Sequence, residues 1–271
     1  MSLRRIIRKL FTRIYGNKFF QNFLNKRIKA LQKFTGVGTG GRVKSSGEFA
    51  ILKNLKKLKS SSYCIFDVGA NRGDFTDLAL SYFSNNESFS IHCFEPSKAA
   101  FETLTGNLKE NPHLVLNNFG LGKEKGKFDL FTDTPGSGTA SLTKRNLEHL
   151  GVDFSLSEKV LIDKIDNYCS TKNIQHIDLL KIDVEGHELD VLYGAENMFK
   201  NNNIKLVSFE FGGCNIDTRT FFRDFYAFFK KHNFQLHRIT PSGYLYPIPS
   251  YKESYEQFRT TNFLAISKDC L

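Results

Sequence analysis

The sequence predicts an α/β fold, a mostly parallel sheet wound with helices on both faces. Three observations predict it. Short apolar runs of strand length alternate with stretches of helical period. The first two of these runs end in acids, Asp67 and Glu95, and a glycine-containing turn after the first opens a helix. With 40% hydrophobic and 14% aromatic residues among 271, the chain can bury a sizeable core, which excludes global disorder.

The elements begin with a basic segment. Residues 1–47 hold twelve Lys and Arg and no Asp or Glu; the first acid is Glu48. Subtracting those twelve from 38 basic residues leaves 26 against 28 acids, so the rest of the chain is nearly neutral. Leu3, Ile6, Ile7, Leu10, Phe11, Ile14, Tyr15, Phe19, Phe20, Phe23, Leu24, Ile28, Leu31 and Phe34 recur at helical steps, with cations between them, and Gly16 divides the pattern into two helices. Residues 1–34 form such a stripe, which suits either an anionic membrane surface or packing on the chain's own body or a second subunit in a homodimer. Gly36-Val-Gly-Thr-Gly-Gly41 spells a dinucleotide motif but lacks the preceding strand and the later acid, so it reads as a linker. Residues 1–45 are therefore an extension and 46–271 the catalytic domain. No apolar run of about 18 residues exists to span a bilayer, and no secretory signal is recognisable. Five cysteines without metal-type spacing indicate a reducing, cytoplasmic setting, with the inner membrane face as the place for a peripheral helix.

A short helix over Gly47–Leu58 leads into the body. Strands are expected at Tyr63–Val68, Ser90–Glu95, Leu114–Asn118, Asp178–Asp183 and Lys205–Phe211, and helices at Phe75–Phe83, Lys98–Lys109, Glu188–Phe199 and Thr220–His232. A hairpin, Lys127–Thr132 with Lys159–Ile162, interrupts the alternation, and the tail supplies strands at Phe234–Thr240, Tyr244–Pro247 and Phe263–Ser267.

In Asp67-Val-Gly69-Ala70-Asn71-Arg-Gly73-Asp-Phe-Thr76, the glycines allow close approach of a ligand to the backbone. Asp67 would repel a pyrophosphate and suits an ammonium group. Glu95, 22 residues after Gly73, stands where a carboxylate binds ribose hydroxyls. The pair describes a nucleoside carrying a cationic, amino-acid-like group, which is S-adenosylmethionine.

Those residues, followed by Phe94-Glu95-Pro96 and Leu180-Lys-Ile-Asp183-Val-Glu185-Gly186, resemble the FkbM family over about residues 46–267. The resemblance implies a class I S-adenosylmethionine-dependent O-methyltransferase acting on sugars or natural products, with a seven-stranded Rossmann-like sheet. It places the cofactor on Asp67, Gly69, Ala70, Asn71, Gly73, Thr76, Glu95 and Pro96, with Asn118, Phe119 and Gly120 on the adenine side, Ser141 near the mouth, and Asp183 also against the cofactor.

Asp183, Glu185 and His187 end or follow the fourth strand, across from the first-strand turn, so the reaction is expected there. Methyl transfer needs positioning, and a hydroxyl acceptor needs a group to take its proton. Glu188, and His187 with it, has a simpler use in capping the next helix. Glu210 at the fifth strand tip is a candidate for orienting the acceptor. The clustered acids have the oxygen ligands a divalent metal takes, but none is predicted. Ser242–Tyr255, rich in Tyr and Pro, either covers the pocket or packs. The Asp183-Val-Glu-Gly reading argues against a base N-methyltransferase, and the near-neutral body against nucleic acid. The acceptor implied is a sugar or glycan, with lipid-linked forms included. A non-sugar natural product, or a catalytically silent membrane-peripheral scaffold, is the alternative.

Overall fold

The apolar runs assemble into an eight-stranded sheet. A computed structural model describes residues 4, 9, 11, 12, 14–83, 88–108 and 110–271. At the centre, β1 (Ser62–Val68) lies between β2 (Ser88–Phe94) and β7 (Ile177–Ile182); β3 (Leu114–Asn117) flanks β2 and β8 (Ile204–Phe211) flanks β7, all parallel. β11 (Thr261–Ser267) runs antiparallel to both β8 and β9 (Phe234–Ile239), and β10 (Leu245–Ile248) closes the edge antiparallel to β9. The family resemblance implies seven strands; β10 is the eighth. A tight turn returns it against β9, with the Thr240 N–H donating to the Tyr244 carbonyl at 3.0 Å and the Gly243 N–H to that of Thr240 at 2.8 Å. A second, three-stranded sheet of β4 (Gly120–Leu121), β6 (Leu156–Asp163) and β5 (Gly126–Thr132) contains the expected hairpin, β5 antiparallel to β6.

At the N-terminal end, Gly16 and Asn17 bend the chain, and the Asn17 side chain accepts from the Phe20 N–H at 3.1 Å to cap α1 (Lys18–Phe34). No residue of α1 is buried, and Phe19, Phe23, Ile28, Leu31 and Phe34 are exposed. Leu3, Ile6, Ile7 and Leu10 of the expected stripe lie outside the described residues. Among the described residues, α1 meets the body in side-chain hydrogen bonds at its end, where Gln32 bonds Gln257 and Arg259. The glycine-rich segment read as a linker is packed rather than free: Val37 is buried, and the Gly40 N–H donates to the Thr260 carbonyl at 3.0 Å. The expected Gly47–Leu58 helix is α3 (Phe49–Lys57), and a further short helix, α2 (Val43–Ser46), precedes it, with Gly47 in the left-handed region between them.

Side chains alternate across the main sheet, so each face has its own core. On one face Ile65, Ile91, Leu179 and Leu206 share a cluster with Ile51, Leu52 and Leu55 of α3, Phe75 of α4 (Asp74–Leu80) and Leu104 of α5 (Lys98–Asn107). The other face joins Phe66, Phe94, Leu180 and Phe209 to α6 (Ile165–Lys172), α7 (Glu188–Tyr193), α8 (Glu196–Lys200) and α10 (Phe222–Lys231), the last following the short α9 (Cys214–Thr218). Phe209 stacks on Phe225 at 4.8 Å and on Phe263 at 5.4 Å, and truncating such a ring costs about 3–5 kcal/mol. The single helix expected over Glu188–Phe199 is two. At Gly194 the carbonyl accepts the Asp166 N–H instead of continuing the ladder, and a Cβ there would meet the Gly122 carbonyl oxygen at 2.1 Å.

Candidate active site

The parallel strands end together, and a cavity of about 1440 Å³ opens over the tips of β1, β2, β7 and β8. Gly69, Ala70, Asn71, Glu95, Pro96, Gly120, Asp183, Glu185, His187 and Glu210, all expected site residues, line it. Asp67, Gly73, Thr76, Asn118, Phe119 and Ser141 stand behind the wall.

Asp67 is the clearest correction. The expectation gave its carboxylate a ligand's ammonium; the structure gives it an internal one. Asp67 is fully buried, its Oδ2 accepts from the Thr76 hydroxyl at 2.7 Å, and its Oδ1 lies 3.2 Å from Lys181 Nζ. Lys181 Nζ also stands 3.6 Å from Asp183. Burial opposes the lysine's charge, yet Asp67, Asp183 and Glu48 together hold its pKa above the usual lysine value. Thr76 likewise serves Asp67, and Gly73 supplies the left-handed N-cap of α4. Gly69 must be glycine: its φ is +78°, and a Cβ would stand 1.8 Å from the Asp183 carbonyl oxygen. The parallel strands β1 and β7 stay side by side to that point, with the Asp183 N–H donating to the Val68 carbonyl at 2.9 Å.

Glu95 ties two strand tips together. Its Oε2 accepts from the Asn71 N–H and its Oε1 from the Ser97 N–H, each at 2.9 Å. Burial pushes its carboxyl up to about 7 despite both bonds. Asn118 supports it from behind through the Glu95 carbonyl at 2.9 Å, and Phe119 packs on Phe94 at 5.6 Å. Gly120, Leu121, Leu130 and Ile162 of the small sheet form an apolar wall beside Pro96.

The loop after β7 carries the acids. Glu185 has a φ of +52° and is held by its surroundings: the Ser141 hydroxyl donates to its carbonyl at 2.8 Å, and Arg145 Nη1 meets its Oε2 at 2.7 Å. Glu188, 1% exposed, accepts from the N–H groups of Val184 and Gly186 at 3.1 and 3.0 Å, so it fixes the loop before α7 rather than capping the helix, which has no side-chain cap bond. His187 is a brace rather than a free base: Nδ1 meets Asp190 Oδ2 at 2.7 Å and Nε2 the Thr143 hydroxyl at 2.9 Å. A carboxylate only accepts, so Nδ1 carries the proton and Nε2 takes the hydroxyl's.

Asp183, Glu185 and Glu210 each bring a carboxylate oxygen within 4.8 Å of the others. Burial, then Asp183, push Glu185 up to about 8 against the pull of Arg145; burial and the neighbouring acids push Glu210 well above its usual value. The glycine-rich segment walls this end, because a Cβ at Gly40 would stand 3.0 Å from Glu210 Oε2.

Sequence reasoning passed over Lys181, Glu48 and Arg145, which also line the cavity. A lysine in the Ile177–Ile182 strand, apolar apart from Asp178 at its start, was a usable signal. Glu48, buried, accepting from Ser46 at 2.6 Å and raised by burial to about 7, had only its place as the first acid. Arg145 had none, since it comes from a polar loop between β5 and β6. The Ser242–Tyr255 stretch lines no part of the cavity and packs, with the Tyr251 hydroxyl on Glu256 at 2.9 Å.

The cavity thus runs from Glu95 at one end to the acids Asp183, Glu185 and Glu210 at the other, with Glu95 and Asp183 88 residues apart in sequence. Comparison with known proteins gives the family. The chain is 24% identical over 167 residues to the hexuronic acid methyltransferase AglP of Haloferax volcanii, covering 61% of this chain and 64% of that protein. It is 27% identical over 142 residues to the 2-O-methyltransferase NoeI of Sinorhizobium fredii, covering 49% and 57%. The chain spans about three-fifths of the length of these curated relatives. A solved methyltransferase FkbM from Methylobacillus flagellatus aligns with a TM-score of 0.46 and 13% identity, over 75% of this chain and 44% of that one. The family model of the methyltransferase FkbM domain matches residues 67–236, from the first-strand turn through both acid-bearing loops, and the chain belongs to that family.

Proposed function

We propose that this chain is an S-adenosylmethionine-dependent O-methyltransferase that methylates a hydroxyl of a sugar or glycan. The observation that carries the reading is one cavity joining Glu95, with lone pairs left for hydroxyl donors, to the three clustered carboxylates of Asp183, Glu185 and Glu210. The donor set fits the cofactor: a carboxylate for ribose hydroxyls, an apolar wall at Pro96 and Leu130 for a base, and an acid-rich end for a sulfonium. When bound, S-adenosylmethionine supplies an electrophilic methyl group. Glu95 then orients the nucleoside, the Gly69–Asn71 backbone lets it approach, and Asp183, Glu185 and Glu210 orient the acceptor hydroxyl and receive its proton. Glu185, pushed up to about 8 by burial and then by Asp183, suits that task at physiological pH. The names of the relatives, one acting on a hexuronic acid and one a 2-O-methyltransferase, support a sugar hydroxyl. Incubation with S-adenosylmethionine and a panel of free, nucleotide-linked and lipid-linked sugars, read by mass spectrometry, tests this. Gain of one methyl group on a sugar hydroxyl is expected; methylation of nitrogen acceptors alone refutes it.

Attachment to an anionic bilayer through α1 completes the reading. Its exposed Phe19, Phe23, Leu31 and Phe34 share the helix with Lys18, Lys26, Lys29 and Lys33, in a segment without acids. The chain passes from α1 through Gly38–Lys44 into the cavity wall, so a surface-bound α1 brings the mouth near lipid-linked acceptors. No helix among the described residues is long and apolar enough to cross a membrane.

A further inference from the structure

We infer that Asp183, Glu185 and Glu210 form a binding site for a divalent, oxygen-preferring cation of the Mg²⁺ or Mn²⁺ class. One carboxylate oxygen from each lies within 4.8 Å of the other two, at the acceptor end of the cavity. Glu210 is the independent sign. Its side chain is over nine-tenths buried, lines the cavity, and makes no hydrogen bond or ion pair with any other described residue. An unpaired buried carboxylate is costly, and here two further carboxylates face it. Arg145 answers Glu185, and Lys181 answers Asp183 at 3.6 Å, but neither cation is paired with Glu210. A small dication among the three acids would supply the missing charge.

The ligand chemistry selects the class of ion. All three donors are hard carboxylate oxygens; no cysteine or histidine belongs to the cluster, which disfavours soft or nitrogen-seeking metals. Three protein oxygens leave the other positions of an octahedral ion open, and adjacent hydroxyls of a sugar are suitable occupants. The frame is held from outside: the close approach of Gly69 fixes Asp183, Glu188 fixes the loop bearing Glu185, and β11 pairs with β8 at Glu210. The inference rests on the reading of this cavity end as the acceptor site, yet ion binding is measurable without any acceptor.

Titrating Mn²⁺ alone into the full chain, followed by electron paramagnetic resonance, is the test. The expected result is one Mn²⁺ bound per chain, displaced by Mg²⁺, with affinity falling tenfold or more in both Glu210→Gln and Asp183→Asn. S-adenosylhomocysteine binding by calorimetry, run on the same samples, reports the cofactor end and the integrity of the fold. Cofactor binding with no Mn²⁺ bound at millimolar concentration overturns the cation site and leaves the methyltransferase reading standing. Mn²⁺ affinity unchanged in both variants overturns it as well. Ion binding without cofactor binding overturns the functional reading instead.

Discussion

Replacing Glu95 by Ala removes the group that holds the β1 and β2 tips together and, on the proposed reading, binds the ribose. Two backbone N–H groups, of Asn71 and Ser97, lose acceptors at 2.9 Å. Bonds to a charged partner are worth about 1.5–3 kcal/mol each, and the cofactor loses bonds of the same kind. We expect S-adenosylhomocysteine affinity to fall by about 1–3 kcal/mol, roughly 5- to 150-fold in Kd. The pH dependence supplies a sharper signature. The carboxyl is raised from 4.5 to about 7 in the folded chain, chiefly by burial. A raised acid holds its proton more tightly when folded, so its contribution to stability is full below pH 4.5 and is lost as pH rises through about 7. That loss is roughly 3 kcal/mol over the window. Ribose hydroxyls donate to the ionised form, so wild-type affinity strengthens over the same window, and Glu95→Ala flattens both curves. Glu48 and Glu185 titrate nearby, so the difference between wild type and variant isolates this group. Calorimetry from pH 5 to 8 and urea unfolding measure it. Equal affinity in the two proteins, or parallel pH curves, refutes the argument.

Other perturbations separate the parts of the account. Glu185→Gln and Glu210→Gln should lower turnover by about 10²–10⁴-fold while leaving S-adenosylhomocysteine affinity nearly unchanged; a weakened cofactor with normal turnover would reverse the assignment. Gly69→Ala forces a Cβ to 1.8 Å from the Asp183 carbonyl oxygen at a φ of +78°. Urea unfolding should then show a loss of about 3 kcal/mol or more, and a wild-type midpoint contradicts the close contact of Gly69 with Asp183. Full-length chain should sediment with anionic vesicles and release as salt shortens the roughly 8 Å screening length. A chain beginning at Lys44 should not sediment, and equal sedimentation of both removes the membrane role of α1.

Much of this architecture was legible because its signals are local. Buried parallel strands read as apolar runs, so Tyr63–Val68 and Asp178–Asp183 were placed within a residue of β1 and β7. The acids after β2 and β7 and the glycine turn after β1 are set by short stretches of chain, and they do line one cavity. What was not legible depends on partners distant in sequence. Asp67 looked available to a ligand because nothing nearby announces that Lys181, 114 residues on, turns toward it. His187 looked like a base because Thr143, 44 residues earlier, closes on its Nε2 only in the folded chain. The 36–41 segment looked like a linker because its glycines suggest freedom, whereas here they permit contact with Ile239 and Glu210. Helix α6 was missed because its short, polar sequence, Ile165-Asp-Asn-Tyr-Cys-Ser-Thr-Lys172, has little apolar period.

The most direct test of the central claim is a crystal structure of the full chain with S-adenosylhomocysteine. The account predicts the ribose hydroxyls on Glu95, the base against Pro96 and Leu130, and the sulfur directed toward the cavity end that holds Asp183, Glu185 and Glu210. A ligand bound with its ribose away from Glu95, or with its sulfur facing away from the three acids, would contradict it.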